Sequence, residues 1–189
     1  MSQRKVILSM QMTLDGYVAG PNDEMDWMKE SEEEWKDMFD ELKEADTYLL
    51  GRKMYPIYSG HWQKVLHSPD DKGSETEFAK LADKTQHIVF TKGDFKPDWK
   101  NTRVSHDVQA EIANLKKQPG KNIIAWGGAN FASNLVKLGL VDEMRIVLNP
   151  TVLGKGKRLF DNVDQQNNLE FISARTMKPG IIVLRYKAK

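Results

Sequence analysis

Two glycine turns carry the residue types that could hold a phosphate. The first is Lys121-Asn122-Ile123-Ile124-Ala125-Trp126-Gly127-Gly128-Ala129-Asn130-Phe131. Its apolar run, Ile123 to Trp126, has strand length and ends in two glycines. Phe131, Leu135, Val136 and Leu138 then recur at helical spacing until Gly139. A strand, a glycine turn and a helix bring backbone N–H groups to a helix start, where they can receive an anion. A Cβ would hold that anion away. Without a ligand, the same pattern is a tight turn in an α/β protein. The second turn, Gly51-Arg52-Lys53-Met54-Tyr55, follows the apolar run Thr47 to Leu50. Two cations at a helix start oppose its dipole unless an anion is expected there. Arg52 and Lys53 are therefore candidates for a phosphate clamp, or else ordinary surface charges.

The elements that must position these turns follow from periodicity. Val6 to Met12 reads as a first strand, leading into the glycine-punctuated loop Thr13 to Asp23. That loop is long and partly apolar, so it suits either a ligand cover or a surface connection. Ser31 and Glu34 form a capping box for a helix with Trp35, Met38, Phe39 and Leu42 as its buried stripe. Glu32, Glu33, Glu34, Asp37 and Glu41 read as its wet face rather than a metal site. Gly60 to Gly73 reads as irregular, with His61 and His67 on it. Ser74 and Glu77 suggest a second capping box, and Gln86 to Phe90 a third strand running into Thr91 and Lys92. A weak strand (Asn101 to Ser105) and a helix capped by Asp107 precede the glycine pair. Val141 to Leu148 reads as a strand, Asn149 to Lys157 as a loop, and Asn168 to Ala174 with Ile181 to Tyr186 as a closing hairpin.

Composition narrows the partners. The chain has 189 residues, enough for one domain with a real core, taken here as 1–189. Its 28 basic and 27 acidic residues are interspersed, so neither nucleic acid nor a membrane surface is a favoured partner. With no cysteine, disulfides, thiolate nucleophiles and thiolate metal sites are ruled out, and no other metal-ligand spacing stands out. The apolar stretch after Arg4 and Lys5 is too short for a signal or a span, which suits a cytoplasmic protein.

Strands alternating with helices imply an α/β fold, with a mostly parallel central sheet and antiparallel edge strands at the C-terminus. The loops starting at Thr13, Gly51, Thr91, Gly127 and Asn149 all follow strands and so share one rim, where such sheets bind ligands. Three of these loops offer phosphate chemistry, which argues for a dinucleotide. No G-x-G-x-x-G follows the first strand, so the site is not a Rossmann fingerprint. Basic residues in place of a ribose-binding acid point to a 2′-phosphate, hence NADPH rather than NADH.

Ser9 to Ala19, Leu49 to Tyr55, Gly127 to Asn130 and Gly139 to Gly156 occur in an order that resembles the dihydrofolate reductase-like superfamily. Within it the chain is most similar to the reductase domain of the bacterial bifunctional riboflavin-biosynthesis deaminase-reductase and its stand-alone relatives. The resemblance implies a three-layer α/β/α fold, NADPH as cofactor and a homodimer. It places Gly51, Arg52, Lys53 and Met54 at the cofactor phosphates and Thr91 and Lys92 along its adenosine end. Gly127, Gly128, Ala129, Asn130 and Phe131 would cradle the pyrophosphate, and Leu14, Gly16, Val18 and Ala19 would border the nicotinamide. Trp126, Thr151, Val152, Leu153 and Gly154 would lie on the substrate side.

The chain departs from that pattern at two points. The deaminase half, with its Pro-Cys-x-x-Cys motif, cannot exist in a chain without cysteine. Where the riboflavin reductases usually carry a glutamate, this chain has Trp126, which cannot accept hydrogen bonds as a carboxylate does. The expected activity is an NADPH-dependent reduction of a small heteroaromatic or imine-like substrate, with Asp15 as proton donor. The rival expectations are a non-catalytic NADP(H)-binding protein and a dimeric module with an empty cleft.

Overall fold

The computed structural model describes residues 3–189. In chain order its first half contains β1 (Val6–Thr13), β2 (Tyr17–Ala19), α1 (Glu32–Leu42), β3 (Ala45–Gly51), α2 (Tyr55–Leu66), α3 (Ser74–Lys84) and β4 (Gln86–Phe90). The second half contains β5 (Thr102–Ser105), α4 (Val108–Lys117), β6 (Asn122–Gly127), α5 (Ala129–Lys137), β7 (Glu143–Asn149), β8 (Lys157–Arg158), β9 (Leu169–Met177) and β10 (Ile181–Ala188). Eight strands form one sheet in the order β5-β4-β3-β6-β1-β7-β10-β9, and β2 pairs with β8 in a small ribbon. The strands from β5 to β7 are parallel, and β10 is antiparallel to both of its neighbours. Among the described residues no helix is long and apolar enough to cross a membrane.

Two apolar layers sandwich the sheet. Ile112 and Leu115 of α4 and Ala132, Leu135 and Val136 of α5 pack on one face. Met38 and Leu42 of α1, Tyr55 and Tyr58 of α2, and Phe78 and Ala82 of α3 pack on the other. The central strands are therefore covered twice, and Ile123, Ile124 and Ala125 are completely buried. This is the three-layer α/β fold with antiparallel C-terminal edge strands.

The helix ends follow local chemistry. Ser31 Oγ accepts from Glu34 N at 3.3 Å, and Asp107 Oδ1 accepts from Ala110 N at 3.0 Å. Past α5, Gly139 takes φ +64, and Leu140 N donates to Leu135 O at 3.0 Å, closing the helix.

Three expectations are corrected. The start of the stretch read as irregular, Gly60 to Leu66, belongs to α2: Tyr55, Tyr58 and Val65 are buried at helical spacing, and that burial outweighs Gly60's poor propensity. Ser74 does not cap α3. Gly73 does so with its carbonyl, which accepts from Glu77 N at 3.0 Å. The acidic face of α1 is also only partly wet. Glu34, Asp37 and Glu41 are buried against Arg145 on β7, while Glu32 and Glu33 stay exposed.

A buried histidine sets one pH response. His87 on β4 is fully buried, with Nε2 3.0 Å from the Tyr58 hydroxyl and no partner for Nδ1. Burial pushes its pKa down to about 4. The unfolded chain, with a histidine near its ordinary value, therefore binds the proton more readily. His87's contribution to stability is complete above about pH 6.5 and declines as the pH falls towards 4, by about 1.4 kcal/mol per unit. Urea unfolding at pH 7 and pH 5 should differ by roughly 2 kcal/mol on this account. His87→Phe should flatten that slope. An unchanged slope in the variant would assign the response elsewhere.

Candidate functional site

Because β1, β3, β4, β6 and β7 are parallel, the turns after Thr13, Gly51, Phe90, Gly127 and Asn149 share one rim. At its centre the two glycine turns meet. A Cβ on Gly51 would stand 2.8 Å from Phe131 Cβ and 3.7 Å from the Gly128 nitrogen. One on Gly128 would stand 3.4 Å from Met54 Cβ. The starts of α2 and α5 therefore lie side by side. Met54 and Gly128 occupy their N-cap positions, and neither helix has a side-chain cap. The first-turn N–H groups of α5 are free to receive an anion; α2 offers fewer, because Pro56 in its first turn has no N–H and Met54 N donates to Gly51 O, but its dipole favours the same anion. Asn130 is exposed at the start of α5, Ala129 is half-buried, and Phe131 stacks on Phe90 at 5.1 Å.

The cations sit beside this junction. Arg52 and Lys53 are exposed in the turn before α2, and Arg52 N donates to Phe90 O at 3.1 Å. The Arg52 guanidinium lies 5.4 Å from the Phe95 ring centre. Thr91 closes its turn by accepting from Gly93 N at 3.2 Å, and Lys92 is exposed. Next to them, a cleft of about 380 Å³ is lined by Asp94, Phe95, Lys96, Val104 and His106. His106 Nδ1 donates to Thr91 O at 2.9 Å. Phe95, Lys96 and His106 were missed in the sequence. His106 follows a four-residue strand, too short to mark a place on the rim.

The first loop is divided. Leu14 is 64% exposed and its N–H donates to Thr151 O at 2.8 Å. Gly16 takes φ +87 in the turn. Val18 and Ala19 lie on β2 and their side chains are buried. Asp15 is tied into the turn. Its carboxylate accepts from Thr13 Oγ1 at 2.6 Å, Leu153 N at 3.1 Å and Gly154 N at 2.8 Å. The Thr13 hydroxyl above all, helped by the Gly154 and Leu153 N–H groups, outweighs the opposing desolvation and holds its pKa down to about 2. A carboxyl ionised from so low a pH has no proton to donate near neutrality. Asp15 anchors the loop at Leu153 and Gly154 to the loop at Leu14, so Thr151, exposed Val152, Leu153 and Gly154 do border that turn. Trp126 is half-buried on the α1–α3 face against Tyr48 and Phe78.

Residues 4–183 match the family model of the RibD C-terminal domain. The chain belongs to this family. It is 34% identical over 186 residues to the uncharacterized protein YyaP of Bacillus subtilis (strain 168), covering 98% of this chain and 96% of that one. Two solved structures share the fold at low identity. One is a diaminohydroxyphosphoribosylaminopyrimidine deaminase/5-amino-6-(5-phosphoribosylamino)uracil reductase from Thermotoga maritima, with TM-score 0.67 and 16% identity, covering 99% of this chain and 57% of that one. The other is Enterococcus faecalis dihydrofolate reductase complexed with NADP(H), with TM-score 0.64 and 13% identity, covering 99% and 98%. The RibD family and the dihydrofolate reductase-like fold are those implied by the four ordered motifs.

Proposed function

We propose that this RibD-type protein is an NADPH-dependent reductase of a small heteroaromatic or imine-like substrate. The observation that carries the reading is the pair of uncapped helix starts brought together at Gly51 and Gly128, with Arg52 and Lys53 beside them. Those backbone groups fit a pyrophosphate. Arg52, Lys53, Lys92 and His106 fit a 2′-phosphate, and the Phe95 cleft fits the adenosine end. Bound there, NADPH supplies a hydride. The chain's own part is to hold it, orient it and keep water from the reacting faces. With Asp15 ionised, the proton comes from solvent.

Arg52→Ala with Lys53→Ala should erase most of the preference for NADPH over NADH. One charge-assisted phosphate contact is worth about 1.5–3 kcal/mol, or roughly tenfold to 150-fold in affinity. Calorimetric titration with both cofactors measures this, and equal dissociation constants in the unaltered protein would contradict the reading. The absence of a proton donor at Asp15 favours one rival, nucleotide binding without turnover. NADPH oxidation followed against a panel of conjugated carbonyls and imines separates the two.

The same reading makes the protein a homodimer. β9 is a nine-residue edge strand, and it exposes Phe171 by 61% and Ile172 by 45%. Edge strands of this kind are covered in solution, and a twofold copy covers both residues at once. Light scattering at micromolar concentration should return twice the 21.7 kDa chain mass. A single-chain mass would reject the dimer.

A further inference from the structure

Trp126 belongs to a wall of rings on the α1–α3 face of the sheet. Its ring centre lies 5.8 Å from Phe78 and 5.6 Å from Tyr48. Phe78 in turn packs 4.4 Å from Trp62 of α2 and 6.1 Å from Trp35 of α1, and Trp35 meets Trp62 edge-on at 6.4 Å. Phe78 and Tyr48 are buried, whereas Trp35, Trp62 and Trp126 keep part of their surface exposed. The wall thus shows three indoles from three elements. Two polar atoms of the wall, Trp126 Nε1 and the Tyr48 hydroxyl, are enclosed and have no hydrogen-bond partner. His61 sits 4.5 Å from Trp62, and its Nε2 is 3.7 Å from Glu75. The rim cations Arg52, Lys92 and Lys96 lie instead towards β4 and β5, around the Phe95 cleft.

We propose that the substrate is a planar conjugated molecule without a phosphate, held against Trp126 with Nε1–H donating to its carbonyl oxygen or ring nitrogen. The proposal rests on the reductase reading of this rim and specifies its substrate side. Indole faces and edges favour flat π-systems. A buried N–H without an acceptor favours a ligand that brings one. The N–H is enclosed, so an acceptor reaches it only when a neighbouring side chain turns aside. Met54 packs on the same cluster, lies beside Gly128 and is flexible enough to do so. The wall's own side chains, Trp35, Tyr48, Trp62, Phe78 and Trp126, include no Lys or Arg to match a ligand phosphate.

The test is calorimetric titration of the cofactor-free protein with lumazine, a planar bicyclic dione, and with uridine 5′-monophosphate, a pyrimidine dione carrying a phosphate. Lumazine should bind at least about tenfold more tightly. Trp126→Phe keeps a ring and removes the donor, so it should weaken lumazine about five- to tenfold and leave the NADPH dissociation constant unchanged. Tighter binding of the nucleotide to the unaltered protein overturns the proposal, and this comparison needs no variant. Undiminished lumazine binding by a folded Trp126→Phe protein also overturns it. A protein that shows the lumazine pattern yet takes no NADPH supports the ring wall and overturns the reductase reading.

Discussion

Gly128→Val should lower NADPH affinity by about 100-fold while leaving the thermal midpoint near that of the unaltered protein. The backbone explains why these effects separate. Gly128 has φ −73 and ψ −169, an extended conformation whose dihedral angles do not themselves require glycine. The valine Cβ would stand 3.4 Å from Met54 Cβ, a contact relieved by a small shift. The added side chain would instead crowd the N–H groups at the start of α5, where the proposed pyrophosphate needs close approach. Gly127 is the opposite case. At φ +99, with Met10 Sδ only 3.0 Å from a Cβ, it should lose about 1–3 kcal/mol of stability when replaced by valine. Calorimetry and thermal unfolding of the two folded variants would therefore show crossed effects. Normal NADPH binding by Gly128→Val would remove the phosphate from this junction.

The same glycine pair shows what was legible in the sequence. Its place between a strand and a helix was readable, because apolar period and glycine punctuation are local signals. Which glycine carries the positive φ was not, because the path back onto α5 decides it. The rim was legible for a similar reason: a parallel sheet forces every strand-end turn to one side, so Gly51, Thr91 and Gly127 could be grouped without coordinates. The bonds that Asp15 accepts from Leu153 and Gly154 were not legible, because those residues lie far along the chain, unlike Thr13 two residues away. That Tyr17 to Ala19 form a strand was not legible, because β8, the two-residue strand that pairs β2, leaves no periodic trace. The acidic face of α1 was read as wet because an acidic stripe looks alike whether it meets water or a distant arginine. One clue was present: Arg145 and Arg185 stand opposite each other on β7 and β10, and like charges in that position require acids nearby.

That buried network supports the largest stability effect. Arg145 is 1% exposed, and its Nη2 lies 2.9 Å from Glu34 Oε1 and 3.0 Å from Asp37 Oδ2. Arg185 reaches Asp37 at 3.0 Å and Glu41 at 2.5 Å, and Arg175 reaches Asp37 at 2.6 Å. Three cations thus balance three carboxylates. Burial alone would raise the Asp37 pKa, but Arg145 and Arg185 beside it hold it below the usual range, whereas burial pushes Glu41 up. Arg145→Met should cost about 3–5 kcal/mol, because it leaves a buried carboxylate uncompensated. Removing Glu34 in the same protein restores the balance, since Asp37 and Glu41 keep Arg175 and Arg185. Arg145→Met with Glu34→Leu should therefore recover most of the loss, to within about 1 kcal/mol of the unaltered protein. Urea unfolding of the two single variants and the double variant closes the cycle. The outcome bears on the site, because α1 carries Trp35 of the ring wall and begins at Ser31, close to where Lys29 N donates to Asn149 Oδ1 at the rim. If the double variant were as unstable as Arg145→Met alone, the arginine would be holding α1 through packing rather than charge.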